Sequence, residues 1–193
     1  GSTTFQTQMS TLVGDVLLAS AFCVYSGFFD HRKRTNLKSF WADQLSDSGI
    51  DVKENIEITE YLSNGSTRLE WIANGLPDDA LSAENGIILS RFQRYPLVID
   101  PSGQASEYLL RQNVSRNIKT TSFLNAAFMK QLESALRFGT ALLVQDVENI
   151  DPVLNPILNR EFQKTGGRTL VRLGDQEIDF SPSFLMYMTT RDP

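Results

Sequence analysis

Cysteine is nearly missing from this chain: its single copy, Cys23, sits inside an apolar segment. No disulfide can form within the chain, which fits a reducing compartment, and a thiol in that setting reads as a small inert hydrophobe. Positive charge is scarce as well. Lys and Arg number 18 against 23 Asp and Glu, a net charge of −5, so bulk electrostatics imply neither nucleic acid nor an anionic membrane as a partner. The one basic cluster, His31-Arg32-Lys33-Arg34, reads as the solvated start of a helix. Long hydrophobic runs are short of what a membrane requires. The stretch from Leu12 to Phe29 contains Asp15, and its uncharged remainder falls below the ~20 residues of a spanning helix. It reads as a helix buried on most sides. Internal repeats and low-complexity linkers are absent. With 193 residues, 41% hydrophobic and 21% charged, the composition is that of an ordinary soluble globular chain with one large or two small domains. Gly1-Ser2 has the look of an expression scar, so no targeting signal is readable there.

The first half reads as helical and loop-rich. Asp30 caps a helix carrying Leu37, Trp41 and Leu45 on one face and closing near Ser48-Gly49. The segment from Asp51 to Leu62 is ambiguous. Ser66 is a candidate cap for a helix through Asn74, ended by Gly75 and Pro77, and a second short helix follows Ser82. From Arg94 onward strands and helices alternate. Strands are expected near 97–100, 119–124, 141–146 and 184–190, with a helix from Asn125 to Phe138 and a helix started by Asp151-Pro152 and interrupted by Pro156. Leu170–Leu173 and Glu177–Phe180 flank Gly174-Asp175-Gln176, a hairpin signal. Such alternation argues for an α/β fold, a parallel sheet covered by helices on both faces.

Within this frame another absence matters more. Arg94 to Asp100 reads as a short buried parallel strand running into Pro101-Ser102-Gly103-Gln104-Ala105-Ser106-Glu107, a small-residue turn that opens an apolar helix. This is the context of a phosphate-binding loop, G-x-x-x-x-G-K-[ST], yet the first glycine falls on Asp100, the second on Ala105, the lysine on Ser106 and the magnesium-binding hydroxyl on Glu107. All four chemical positions are lost. A lysine on phosphate is a charge-assisted contact of roughly 1.5–3 kcal/mol, and Asp100 and Glu107 bring negative charge toward the helix N-terminus instead. The expectation is nucleotide affinity no better than millimolar and no hydrolysis.

Thr140 to Glu148 is an apolar strand ending in acids, Asp146 and Glu148, the pattern of a strand whose aspartate holds magnesium. Taken alone, these acids read equally well as ordinary residues at the edge of a buried strand. Beside the altered loop they read as a decayed nucleotide site.

Gly75-Leu76-Pro77-Asp78-Asp79, Ser82-x-Glu84-Asn85-Gly86, Tyr95-Pro96-Leu97-x-Ile99-Asp100-Pro101-x-Gly103-Gln104-Ala105, Leu143 to Glu148 and Leu173-Gly174-Asp175-x-x-Ile178-Asp179 together resemble the dynein heavy chain. The part resembled is the large subdomain of the fifth AAA+ module of its motor ring, just after the returning stalk helix. Tyr95 and Ser102 are closer to the cytoplasmic pattern than to axonemal forms.

The resemblance implies a P-loop NTPase-like AAA+ large subdomain: a helical and loop segment over 3–93, then an α/β core over 94–193 with an inserted hairpin, truncated before the fifth strand and small subdomain. It places the first strand between the fourth and the missing fifth. It implies a structural, force-relaying module of a microtubule minus-end-directed motor, cytoplasmic and microtubule-associated, with vestigial loop residues Asp100 to Glu107 and vestigial acids Asp146 and Glu148. No cofactor or metal is expected here, ATP and magnesium belonging to other modules of the parent motor. The partners implied are neighbouring AAA+ modules and the stalk or buttress; the microtubule is reached only through the stalk. Asp192, preceded by Arg191, falls where relatives carry a polar sensor residue. The alternative is a regulatory or active nucleotide-binding module using a non-standard loop.

Overall fold

The computed structural model describes residues 2–192 and divides between Gln93 and Arg94 into two compact units. The first is helical: α1 (Ser2–Tyr25), α2 (His31–Asp47), α3 (Ile58–Leu62), α4 (Gly65–Ala73) and α5 (Ala80–Ser90). Short polar side chains start three of them by accepting otherwise unpaired N–H groups. Asp30 takes the Lys33 N–H, Asp79 that of Ser82, and Asn64 rather than Ser66 takes that of Thr67.

The expectation for the first apolar stretch needs correcting. α1 begins ten residues before Leu12, and Thr3–Tyr25 is long and apolar enough to cross a membrane by length and composition. It is not buried on most sides either. One face, with Leu18, Ala19 and Phe22, is buried, whereas Phe5, Met9, Leu12, Val13, Val16 and Val24 are exposed along the other. The buried face is pinned by backbone. A Cβ at Gly14 would lie 2.2 Å from the Asp51 carbonyl oxygen, and Asp15, buried beside it, accepts the Lys53 N–H at 2.8 Å. From Leu12 onward the helix is therefore apolar on most sides but covered on one. A second close approach seats Trp71, which is 4% exposed: a Cβ at Gly86 would meet its ring at 2.7 Å.

The second unit is α/β. Its elements are β1 (Leu97–Ile99), α6 (Gln104–Gln112), β2 (Lys119–Ser122), α7 (Phe128–Phe138), β3 (Ala141–Gln145), α8 (Asn155–Leu158), β4 (Phe162–Thr165), β5 (Arg168–Leu173), β6 (Gln176–Asp179) and β7 (Leu185–Thr190). Four strands form a parallel sheet in the order β1-β7-β3-β2. β3 and β7 lie in its centre. Ala141 to Val144, Met186 and Met188 are buried there, with Leu132 and Leu136 of α7, and Tyr108 and Leu109 of α6, also in the core. Among the described residues, β1 is an edge strand paired only to β7. It is parallel and lies beside the fourth strand of the sheet, β7, at the unpaired edge, as the resemblance implies, but Leu97 and Ile99 are 51% and 52% exposed, so the expectation of a buried strand fails. α7 starts at Phe128 rather than Asn125, whose side chain accepts the Ala127 N–H and holds a turn. Pro156 lies in the first turn of α8, where proline is tolerated, and the preceding Pro152–Leu154 turn is 3-10.

The hairpin signal was incomplete. β4 joins β5 and β6 in a separate antiparallel sheet, ordered β4-β5-β6, and the Gly166-Gly167 connection has positive φ at both residues (58° and 79°), the geometry of a tight hairpin turn. Nor does the hairpin stand free. Phe162 stacks on Phe180 at 4.1 Å, Phe180 meets Phe184 at 6.1 Å, and Phe184 meets Tyr95 at 5.5 Å, an aromatic column joining the hairpin base to the residues flanking β7 and β1.

Candidate functional site

Because β1, β7 and β3 are parallel neighbours, the residues following them share one edge of the sheet, the C-terminal side on which open α/β folds bind ligands. Asp100 leaves β1, Asp146 leaves β3, and Arg191 and Asp192 leave β7. Hydrogen bonds lock this edge: the Asp100 N–H donates to the Thr190 carbonyl at 2.7 Å, and that of Val147 to Thr189 at 2.9 Å.

The loop from Pro101 to Gly103 turns the chain into α6. Gly103, at φ 81° and ψ 0°, occupies the left-handed region that favours glycine. It directs the first N–H groups of α6 back toward the end of β1, where Asp100, 6% exposed, receives them. Asp100 Oδ1 accepts the Ala105 N–H at 3.1 Å; Oδ2 accepts the Ser106 N–H at 2.8 Å and the Ser106 hydroxyl at 2.7 Å. Burial pushes this carboxyl up, but the Ser106 hydroxyl and the N–H groups of Ser106, Ala105 and Gly103 outweigh it, so Asp100 lies below its ordinary value and is an anion at neutral pH. The N–H groups that would cradle a phosphate in a phosphate-binding loop thus already hold a carboxylate of the same chain.

The other loop residues divide. Pro101, Ser102 and Gln104 are exposed, and the Ser102 hydroxyl accepts the Gln104 N–H only at 3.4 Å. Glu107 is exposed in the first turn of α6 and lies 3.4 Å from Arg111 one turn on. The acids after β3 are not gathered into a cage. Asp146 sits at φ 54°, strained for a non-glycine residue, and its exposed carboxylate pairs with Arg191 Nε at 3.2 Å. Glu148 is exposed. Among the described residues, no group of three or more His, Cys, Asp or Glu could hold a metal ion.

Sequence reasoning aligned the four lost positions but not their replacement. The signal was present: an Asp six residues before a Ser, across a turn with one glycine, is a capping pattern spread over a loop. Only the turn at Gly103 brings its ends together.

The family model of the ATP-binding dynein motor region matches residues 69–193. The chain is 60% identical, over all of its length, to a cytoplasmic dynein heavy chain of Dictyostelium discoideum and 57% identical to that of Drosophila melanogaster. It is 38% identical over 98% of its length to the flagellar outer arm dynein gamma chain of Chlamydomonas reinhardtii. In each case it spans 4% of the relative's length.

Proposed function

Since the chain belongs to the dynein motor family, we propose that it is a structural, force-relaying AAA+ module of a microtubule minus-end-directed motor ATPase, its own nucleotide site degenerate and without hydrolysis. The module is the fifth of the motor ring, in a cytoplasmic, microtubule-associated heavy chain. Its direct partners are other modules and the stalk or buttress of the same polypeptide. ATP and magnesium act in those other modules.

The observation that carries this reading is the Asp100 carboxylate on the Ala105 and Ser106 N–H groups. A bound nucleotide would have to expel a buried anion or sit beside it. Two unit charges 4 Å apart repel by about 4 kcal/mol at an effective dielectric constant near 20, on the order of a thousandfold in affinity. Loss of the lysine, with Ser106 in its place, removes roughly 1.5–3 kcal/mol more. The other positions do not fit a magnesium nucleotide either: after β3, Asp146 is engaged by Arg191, and in the first turn of α6 no hydroxyl stands at Glu107. What remains is a packed sheet with an edge tied strand to strand, which suits transmission of displacement.

Titration of the purified chain with a fluorescent ATP analogue and magnesium tests the reading. Binding no tighter than millimolar is expected; a micromolar, magnesium-dependent dissociation constant would establish a nucleotide-binding module with a non-standard loop instead.

A further inference from the structure

Two sequence features have no part in the strand-end site: the basic cluster at 31–34 and the run Ser82-x-Glu84-Asn85-Gly86. In the first unit they meet. Arg34, expected to be solvated, is 3% exposed. Its Nε donates to the Ser26 carbonyl at 2.9 Å, Nη2 to the Gly27 carbonyl at 3.3 Å and to Asn85 Oδ1 at 2.8 Å, and Nη1 to Glu84 Oε2 at 3.2 Å. His31 Nδ1 lies 2.9 Å from Glu84 Oε1, so this carboxylate is held from two sides. One planar fork therefore joins the turn that ends α1, the helix α2 that carries it, and α5. The next residue of the run, Gly86, packs α5 against Trp71 of α4.

A buried ion pair seldom adds net stability over an apolar pair of equal volume. What an arginine fork adds is orientation, because its donors leave a rigid plane in set directions. Here four acceptors from two distant stretches of chain converge on it.

We propose that Arg34 is a latch that makes the end of α1, α2 and α5 move as one body, and that the force-relaying role requires it closed. This rests on the relay reading given above. The test uses the heavy chain carrying either Arg34→Lys, which keeps the charge and loses the fork, or Arg34→Met with Glu84→Leu, which removes both charges together and leaves neither unpaired. In both, amide exchange over residues 26–30 is expected to rise by roughly tenfold, with exchange in β3 unchanged. Basal ATPase should stay within about twofold, while microtubule-stimulated turnover and gliding velocity fall by about threefold or more. Unchanged exchange at 26–30 in both variants would show that there is no latch. Faster exchange with full velocity would show that the latch does not serve the relay. Failure of the relay reading itself looks different: micromolar, magnesium-dependent ATP binding by the chain with Arg34 intact.

Discussion

Asp100 offers the sharpest perturbation, because three donors converge on one buried carboxylate. In Asp100→Asn the shape is kept but one oxygen becomes an NH2 group. If the amide oxygen stays on Ser106, the NH2 faces the Ala105 N–H; flipped, it faces the Ser106 N–H. Either way one helix-end donor loses its acceptor and the charge on the helix N-terminus is gone. An unpaired, partly buried donor costs about 1–3 kcal/mol, and the lost charge at the helix end about 0.3–1 kcal/mol, so roughly 2 kcal/mol is expected. At ~2–4 °C per kcal/mol for a chain of this size, the melting temperature should fall by about 4–8 °C. The pH dependence checks the cause. The folded-state pKa is lowered, so the stabilisation is complete above the unfolded value of 3.8 and is lost as pH falls through the lowered folded value. Melting followed by circular dichroism should therefore separate the wild type from Asp100→Asn at pH 7, and the gap should narrow progressively below about pH 4. Equal melting temperatures at pH 7, or a gap that persists unchanged in acid, would refute the argument that this carboxylate is the ligand of the α6 N-terminus.

Rebuilding the loop by Ala105→Gly, Ser106→Lys and Glu107→Thr should improve ATP-analogue binding by less than about tenfold while Asp100 stays in the cradle, and adding Asp100→Gly should gain at least about tenfold more, measured by fluorescence titration. Trp71→Ala empties the seat built by Gly86 and should cost ~3–5 kcal/mol; in the heavy chain, basal ATPase should persist while microtubule stimulation and gliding velocity drop. Asp146→Ala with Glu148→Ala should leave motility within about twofold, since both acids are exposed and Asp146 serves only the Arg191 pair; arrested motility in a folded motor would support an active nucleotide site. The isolated chain should bind a hydrophobic dye through the exposed face of α1, and Leu12→Glu with Val16→Glu should reduce that signal without lowering the melting temperature.

Where neighbouring residues decide an element, the sequence often sufficed. The cap at Asp30, the stop at Gly139 and the parallel strands near 97, 119, 141 and 185 follow from local propensity and apolar runs, whereas the caps at Asn64 and Asp79 lie a few residues before the serines that the sequence suggested. The four missing phosphate-loop groups are likewise facts of spacing. Other properties depended on which distant segment covers a residue. Periodicity could not assign α1 a buried face, because apolar residues surround its second half and packing against α2, α3, α5 and the loop at Asp51 and Lys53 selects one side. Leu97 and Ile99 look like core residues until the strand order leaves β1 on the edge. Arg34 sits in a run of cations and is buried because Glu84 and Asn85, some fifty residues away, supply its acceptors. The sequence by itself determined that the lysine and the glycines of a phosphate loop are missing. That the Asp100 carboxylate holds the first N–H groups of α6 was decided by tertiary structure, since the Gly103 turn must bring those groups onto a carboxylate fixed at the end of β1.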